Sequence, residues 1–256
     1  MTPMPKLVMF DMDGTLARSK EPLDASMSIL LGGLLERTKV AVISGGAFER
    51  FLVQIIDRLP ENAQLEHLFI LPTSGAMLYE WQNGTWNKIY EERIPENAVD
   101  SIEKAVLDAC IDTGLVDLAV PSYGERLEYR GGQVTFSVLG QHAPIEEKEA
   151  WDPDKTKRRV LRRAIAARLP LGYTATMGGK TSIDITKNGV DKAYGIRKLA
   201  ERLRIPESDI WYVGDELGRD GNDEAAYKTG VQEHPITHPA DTEALIRGLI
   251  ESADAP

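Results

Sequence analysis

Four short apolar runs, each closed by small or acidic residues, constrain the fold of this chain more than any other feature. Lys6 to Phe10 ends at Asp11, and Val40 to Ile43 ends at Ser44-Gly45-Gly46. Leu68 to Leu71 ends at Pro72 and Ser74-Gly75, and Ile210 to Val213 ends at Gly214-Asp215. Unbroken rather than alternating runs of this length read as strands covered on both faces, which is the pattern of a parallel sheet. Phe48, Phe51, Leu52, Ile55, Ile56 and Leu59 recur at helical spacing and predict a helix over Ala47 to Leu59. Ala193, Ile196, Leu199, Ala200 and Leu203 predict another after Asp191, and Ala244, Leu245, Leu249 and Ile250 a last one. Strands alternating with helices predict an α/β fold with a doubly wound, Rossmann-like parallel-sheet core. In such sheets ligands bind beyond the carboxyl ends of the strands.

The middle of the chain is patterned differently. Asn83-Gly84, Gly131-Gly132 and Gly178-Gly179 each separate two strand-forming segments and predict three hairpins. Helical periodicity covers Asn97 to Ile111 and Lys155 to Leu169. Together these predict an inserted α+β cap domain carrying an antiparallel sheet at residues 80–186, with residues 1–79 and 187–256 as the core. The cap is expected to select the substrate and to shield the reaction from water, moving on connections near Tyr79 and Thr186.

The formal net charge of −10 argues against nucleic acid or an anionic membrane as a partner. It leaves a small anion open, because a local group of Lys and Arg decides what a pocket binds. The single cysteine, Cys110, cannot form an internal disulfide and reads as a core residue. No run approaches the ~18 apolar residues of a membrane span, and no secretory signal follows Met1 to Lys6, so a cytoplasmic protein is expected. His67, His142, His234 and His238 show no metal-ligand spacing. The seven basic residues from Lys155 to Arg168 read as the outer face of an amphipathic helix, or else as a nucleic-acid face.

Chemistry concentrates at the strand ends. Asp11 and Asp13 place two carboxylates just beyond a buried strand. Facing one pocket they would repel, and a divalent cation resolves that repulsion. The first can then attack phosphorus, while the second protonates the leaving oxygen and later activates the incoming nucleophile. Gly14 permits close backbone approach to a phosphate. Ser44, with the N–H groups of Gly45 and Gly46, reads either as a phosphoryl-binding loop or as a helix N-cap. Lys192 alone reads as a surface lysine. The acid-rich loop from Asp215 through Asp220 to Asp223 reads as cation-binding or as a solvated turn.

Taken in order, Asp11-Met12-Asp13-Gly14-Thr15, Ser44, Lys192 and Gly214-Asp215 resemble the four motifs of the haloacid dehalogenase superfamily. The resemblance implies Asp11 as nucleophile, Asp13 as acid and base, and Ser44 and Lys192 as catalytic partners. It implies Mg2+ held through Asp11, Asp13 and Asp215. Gly14, Thr15, Ser44, Gly45, Lys192 and Asn222 would bind phosphate, with Asp220 and Asp223 in support. An insertion between the second and third motifs is similar to subclass IIB, whose cap is large and α/β. Leu71-Pro72-Thr73-Ser74-Gly75, Arg130 to Gly140, Gly178 to Asp184 and Gly221-Asn222-Asp223 resemble the eukaryotic-type phosphomannomutases along most of the chain.

That likeness implies interconversion of mannose 1-phosphate and mannose 6-phosphate, a hexose 1,6-bisphosphate activator, and a homodimer through the cap. A mutase must anchor one phosphate while the other reacts, which calls for basic groups in the cap. By resemblance Arg130, Gln141 and Lys148 occupy such positions, Lys20 (with Arg18 close by) matches a core arginine, and Ser182 and Asp184 meet the sugar. Arg126 and Lys180 are further cap cations. Gln141 carries no charge and Lys148 lacks the guanidinium fork. A weaker distal site lets water take the phosphoryl group, so a sugar-phosphate phosphatase is the second reading. A non-catalytic sugar-phosphate binding module is the third, opposed by the presence together of Asp11, Asp13, Lys192 and Asp215.

Overall fold

The structure, a computed structural model, describes residues 4–218 and 221–254. In chain order it contains β1 (Leu7–Asp11), α1 (Ala25–Leu35), β2 (Lys39–Ile43), α2 (Phe48–Gln54), β3 (Leu68–Leu71), β4 (Met77–Gln82) and β5 (Thr85–Glu91). There follow α3 (Glu96–Thr113), β6 (Leu127–Tyr129), β7 (Val134–Ser137), α4 (Ile145–Trp151), α5 (Thr156–Ala166), β8 (Tyr173–Met177) and β9 (Ser182–Lys187). The chain closes with α6 (Lys192–Leu203), β10 (Ile210–Gly214), β11 (Gln232–Pro235) and α7 (Pro239–Asp254).

The larger sheet has seven strands in the order β11-β10-β1-β2-β3-β4-β5. Its first five are parallel, and β4 and β5 complete it as antiparallel strands. Alternate residues of each apolar run serve opposite faces. Val8, Phe10, Val40, Val42, Leu68, Ile70 and Val213 pack into one buried cluster that also holds Leu31 and Leu34 of α1 and Ile246 and Leu249 of α7. Met9, Ala41, Ile43, Leu71 and Tyr212 pack into another with Ile196 and Leu199 of α6. Two covered faces explain why the strands read as continuous apolar runs.

The smaller sheet has four antiparallel strands in the order β6-β7-β9-β8. Val134, Phe136, Ile183 and Ile185 point into a third cluster with Ile102, Val106, Leu161 and Ile165 of α3 and α5. The intervening Thr135 and Asp184 lie on the opposite, polar face.

Contacts divide the chain into two units, one of residues 92–190 with residues 221 and 222 grouped to it, the other of the remainder. The inserted unit therefore begins at Glu92 rather than Glu80. Asn83 and Gly84, both at positive φ, do form the expected hairpin turn, but β4 pairs with β3 and so carries residues 80–91 into the larger sheet. The helix expected to run to Leu59 stops at Gln54, and a single 3-10 turn, Ile56–Arg58, follows it. Among the described residues no helix is long and apolar enough to cross a membrane.

Candidate active site

Because β10, β1 and β2 are parallel neighbours, their carboxyl ends bring Asp215, Asp11 and Ser44 together. Lys192 arrives from the first turn of α6, whose N-cap Asp191 accepts from the Tyr194 N–H at 3.0 Å. A cation there opposes the helix dipole, and two carboxylates compensate it. The Lys192 ammonium lies 2.6 Å from Asp11 Oδ1 and 2.6 Å from Asp223 Oδ1, with all three side chains almost wholly buried.

Asp11, Asp215 and Asp223 each offer a carboxylate oxygen within 4.8 Å of the others. Two buried carboxylates thus share one ammonium, with the half-buried Asp215 beside them. Burial pushes the Asp11 carboxyl well above its ordinary range against the pull of Lys192, with Asp223 and Asp215 raising it further. Burial, then Asp223, pushes Asp215 up to about 6. Burial would lower Lys192, but Asp11 and Asp223 outweigh it and hold the ammonium above its usual range.

These groups fit a hard divalent cation. Asp11 Oδ2 is buried and has no hydrogen-bond partner among the described residues. Asp223, by contrast, is already engaged at both oxygens, Oδ1 by Lys192 and the Tyr212 hydroxyl, Oδ2 by the Glu216 N–H at 3.3 Å. That leaves Asp11 and Asp215 as the carboxylates free to take a cation, with Asp223 behind them. Gly14, at φ 89°, is required here, since a Cβ would meet Asp215 Oδ2 at 2.3 Å. Thr15 donates to Asp215 Oδ1 at 3.2 Å and so supports that carboxylate.

Asp13 stands apart from the carboxylate cluster. Its two oxygens accept from Arg50 Nη2 at 3.1 Å each, and its Oδ1 accepts the Lys20 backbone N–H at 2.6 Å. Gln54 braces the same guanidinium at 2.9 Å and 3.1 Å. Arg50 is a site residue that sequence reasoning misses. Its position one helical turn past Gly46 was the available signal, because the first turn after a phosphate-type loop faces back toward the strand ends.

Ser44 is buried, and its hydroxyl accepts from the Gly46 N–H at 3.3 Å. It is not the N-cap of α2, a position filled by Ala47 without a side-chain cap bond. Behind the loop, Thr73 N–H donates to Gly46 O at 3.0 Å and Ser74 N–H to Ser44 O at 2.9 Å. Both residues adopt positive φ, 51° and 57°, to do so. Asn222 is half-buried in the segment after β10, and Asp220 lies outside the described residues.

In the smaller unit Arg130, Gln141 and Lys148 come together. Arg130 Nη2 lies 2.6 Å from Glu128 Oε2 and 3.4 Å from Gln141 Oε1, and the Lys148 ammonium donates to Gln141 O at 3.3 Å. Lys148 is only 7% exposed, and no carboxylate lies within salt-bridge distance of it among the described residues. Asp184, whose Oδ1 accepts from Thr135 at 2.9 Å, sits on the polar sheet face, with Ser182 two residues before it on β9.

Arg126, an expected cap cation, and Arg158, expected on a helix's outer face, serve the fold instead. Arg126 donates to the carbonyls of Val138, Leu118, Asp117 and Val120. Arg158, expected on the outer face of its helix, is buried against Asp152 at 2.9 Å and reaches the carbonyls of Gly178 and Gly179. Lys180 lies 3.8 Å from Glu149 in an exposed pair.

The family model for eukaryotic phosphomannomutase matches residues 27–252. Phosphomannomutase of Oryza sativa subsp. japonica is 26% identical over 255 residues, covering 96% of this chain and 96% of its own. Phosphomannomutase of Dendrobium officinale is 24% identical over 242 residues, covering 92% and 90%. Among solved structures, the N-terminally truncated Plasmodium falciparum IMP-nucleotidase superposes with a TM-score of 0.69 at 16% identity, covering 96% of this chain and 70% of that one. A Streptococcus mutans protein superposes with a TM-score of 0.61 at 17% identity, covering 98% of each chain. At these identities the two structures speak for the fold alone.

Proposed function

The chain belongs to the eukaryotic phosphomannomutase family, and from that premise we propose that it moves a phosphoryl group between the 1- and 6-positions of mannose phosphate through an aspartyl-phosphate at Asp11. The observation that carries this reading is the pairing of Asp11 with Lys192. It is a buried carboxylate held at one oxygen by an ammonium, with the other oxygen unpartnered among the described residues.

The residues divide the work as follows. Asp11 attacks phosphorus, the bond to the sugar oxygen breaks, and Asp13 gives that oxygen a proton. The free hydroxyl of a mannose monophosphate, held by its remaining phosphate, then attacks the phosphorus, Asp13 takes its proton, and the Asp11–phosphorus bond breaks to give a bisphosphate. Lys192 stands where negative charge gathers, and Ser44 with Gly45 and Gly46 receives the phosphoryl oxygens. Asp11 and Asp215 would hold Mg2+, which when bound offsets the charge of the phosphate and of the clustered carboxylates. The second phosphate of a hexose 1,6-bisphosphate falls to Arg130 and Lys148, and Ser182 and Asp184 take sugar hydroxyls. Lys20 would add a cation beside Asp13. With a single cysteine, the chain suits the cytoplasm.

Hydrolysis is the second reading, favoured by one observation. Arg130 is already committed in part to Glu128, and its neighbours are an amide and a lone ammonium. Weaker anchoring of the distal phosphate would give water access to the phosphoryl group. Phosphorus NMR of the protein with magnesium, mannose 1-phosphate and catalytic hexose 1,6-bisphosphate tests the proposal. Mannose 6-phosphate appearing without free phosphate supports it, whereas free phosphate alone replaces it with the phosphatase reading.

A further inference from the structure

Tyr212 stands on β10 with its ring wholly buried and its hydroxyl donating to Asp223 Oδ1. The same oxygen accepts from Lys192 Nζ at 2.6 Å, and Lys192 in turn holds Asp11 Oδ1 at 2.6 Å. Four side chains therefore form one unbroken buried line, from Tyr212 through Asp223 and Lys192 to Asp11. The far end of Asp223 is pinned as well. Its Oδ2 accepts the Glu216 N–H at 3.3 Å, and a Cβ on Gly214 would strike that oxygen at 2.6 Å.

We infer that Tyr212 is a positioning residue for phosphoryl transfer, acting on Asp11 through Asp223 and Lys192. The inference rests on the aspartyl-phosphate reading above. Lys192 is divided between two carboxylates, and what it gives to Asp11 depends on how strongly Asp223 claims it. A hydroxyl donated to the shared oxygen satisfies one of the Asp223 lone pairs and weakens that claim. Removing the hydroxyl leaves the lone pair to be met by Lys192 alone, since the site is sealed from solvent and an unmet buried acceptor is costly. The ammonium then moves toward Asp223, and the Asp11 carboxylate loses the contact that fixes its plane. Among the described residues the Tyr212 hydroxyl hydrogen-bonds to Asp223 and not to Asp11 or Lys192, so its effect falls on the rate at which Asp11 reacts and not on the hold on the sugar.

Tyr212→Phe removes one oxygen atom and keeps the ring that fills the core. The experiment compares variant and wild type with hexose 1,6-bisphosphate carrying labelled phosphate, by rapid quench, alongside KM and melting temperature. The expected result is label reaching Asp11 about 10–100-fold more slowly, with KM within about twofold and the melting temperature lowered by only a few degrees. Labelling at the wild-type rate overturns the inference. So does a loss in which KM rises in proportion, or in which melting collapses together with rate, because either marks a purely structural tyrosine. Labelling at wild-type rate in both proteins sinks the positioning role alone. No label on the wild type sinks the aspartyl-phosphate reading and the inference with it.

Discussion

The carboxylate cluster of the larger unit and the Arg130–Lys148 cluster of the smaller one are built on opposite imbalances of charge. In the first, Asp11 and Asp223 hold one ammonium and Asp215 stands beside them. In the second, Arg130 pairs with Glu128 and the buried Lys148 ammonium donates to the Gln141 carbonyl. Buried charge is tolerated when it is paired, so each imbalance specifies what the site lacks, a cation in one and an anion in the other. The two also differ in how firmly they are made. The carboxylates are locked by Lys192, Tyr212, Thr15 and Glu216 N–H. Of the cap cations, Arg130 pairs with Glu128 and meets the Gln141 amide, and Lys148 meets a backbone carbonyl. On the function proposed above, the balance of mutase against phosphatase is set at the second cluster.

The largest effect should come from removing the nucleophile. Asp11→Asn is expected to cut turnover by about 10⁴-fold or more while far-ultraviolet dichroism stays native, and activity near wild type would break the first half of the comparison. Lys148→Ala tests the second half. It removes the ammonium that donates to Gln141 O, and should lower mutase flux about 10–100-fold while the share of free phosphate rises; an unchanged share would mean that Lys148 is not the anchor. Arg50→Ala removes the guanidinium from both Asp13 oxygens, leaving Oδ1 to the Lys20 N–H, and is expected to reduce kcat about tenfold with KM little altered, read from steady-state kinetics. Gln141→Arg should restore a fork to the distal site and shift product toward mutase by about several-fold, as phosphorus NMR would register.

Acid titration gives the smallest effect and the sharpest sign. The folded protein holds the Asp215 carboxyl up to about 6, above the ordinary value of 3.8. Between those values the folded chain binds more protons than the unfolded one, so metal-free stability falls as pH rises through that window and levels off above it. Magnesium needs the ionised form. The gain in melting temperature on adding magnesium should therefore grow from about pH 5 to about pH 7.5, and a gain larger at the acid end would remove Asp215 from the cation site.

What the chain disclosed in advance follows the same division. Asp11, Ser44 and Asp215 were legible because an apolar run followed by a polar break fixes a strand end locally, and parallel pairing then aligns the ends. Arg50 was not, because an arginine on a helix looks the same whether it faces solvent or a carboxylate 37 residues earlier. The hairpin at Asn83-Gly84 was legible as a turn, but its sheet was decided by the non-local pairing of Phe69 with Glu80. Arg158 hid in a basic amphipathic pattern, since only the fold sets Asp152 against it. Helix α1 is apolar around most of its circumference, with Leu30, Leu31, Gly32, Leu34 and Leu35 all buried, and so shows no stripe to read.

Asp11 as the covalent centre is the central claim, and chemical trapping tests it most directly. The protein is incubated with magnesium and hexose 1,6-bisphosphate, quenched, treated with borohydride to reduce any acyl phosphate, and its peptides are sequenced by mass spectrometry. Homoserine is expected in place of Asp11 and at no other position. An unmodified Asp11, or a reduced residue elsewhere, would contradict it.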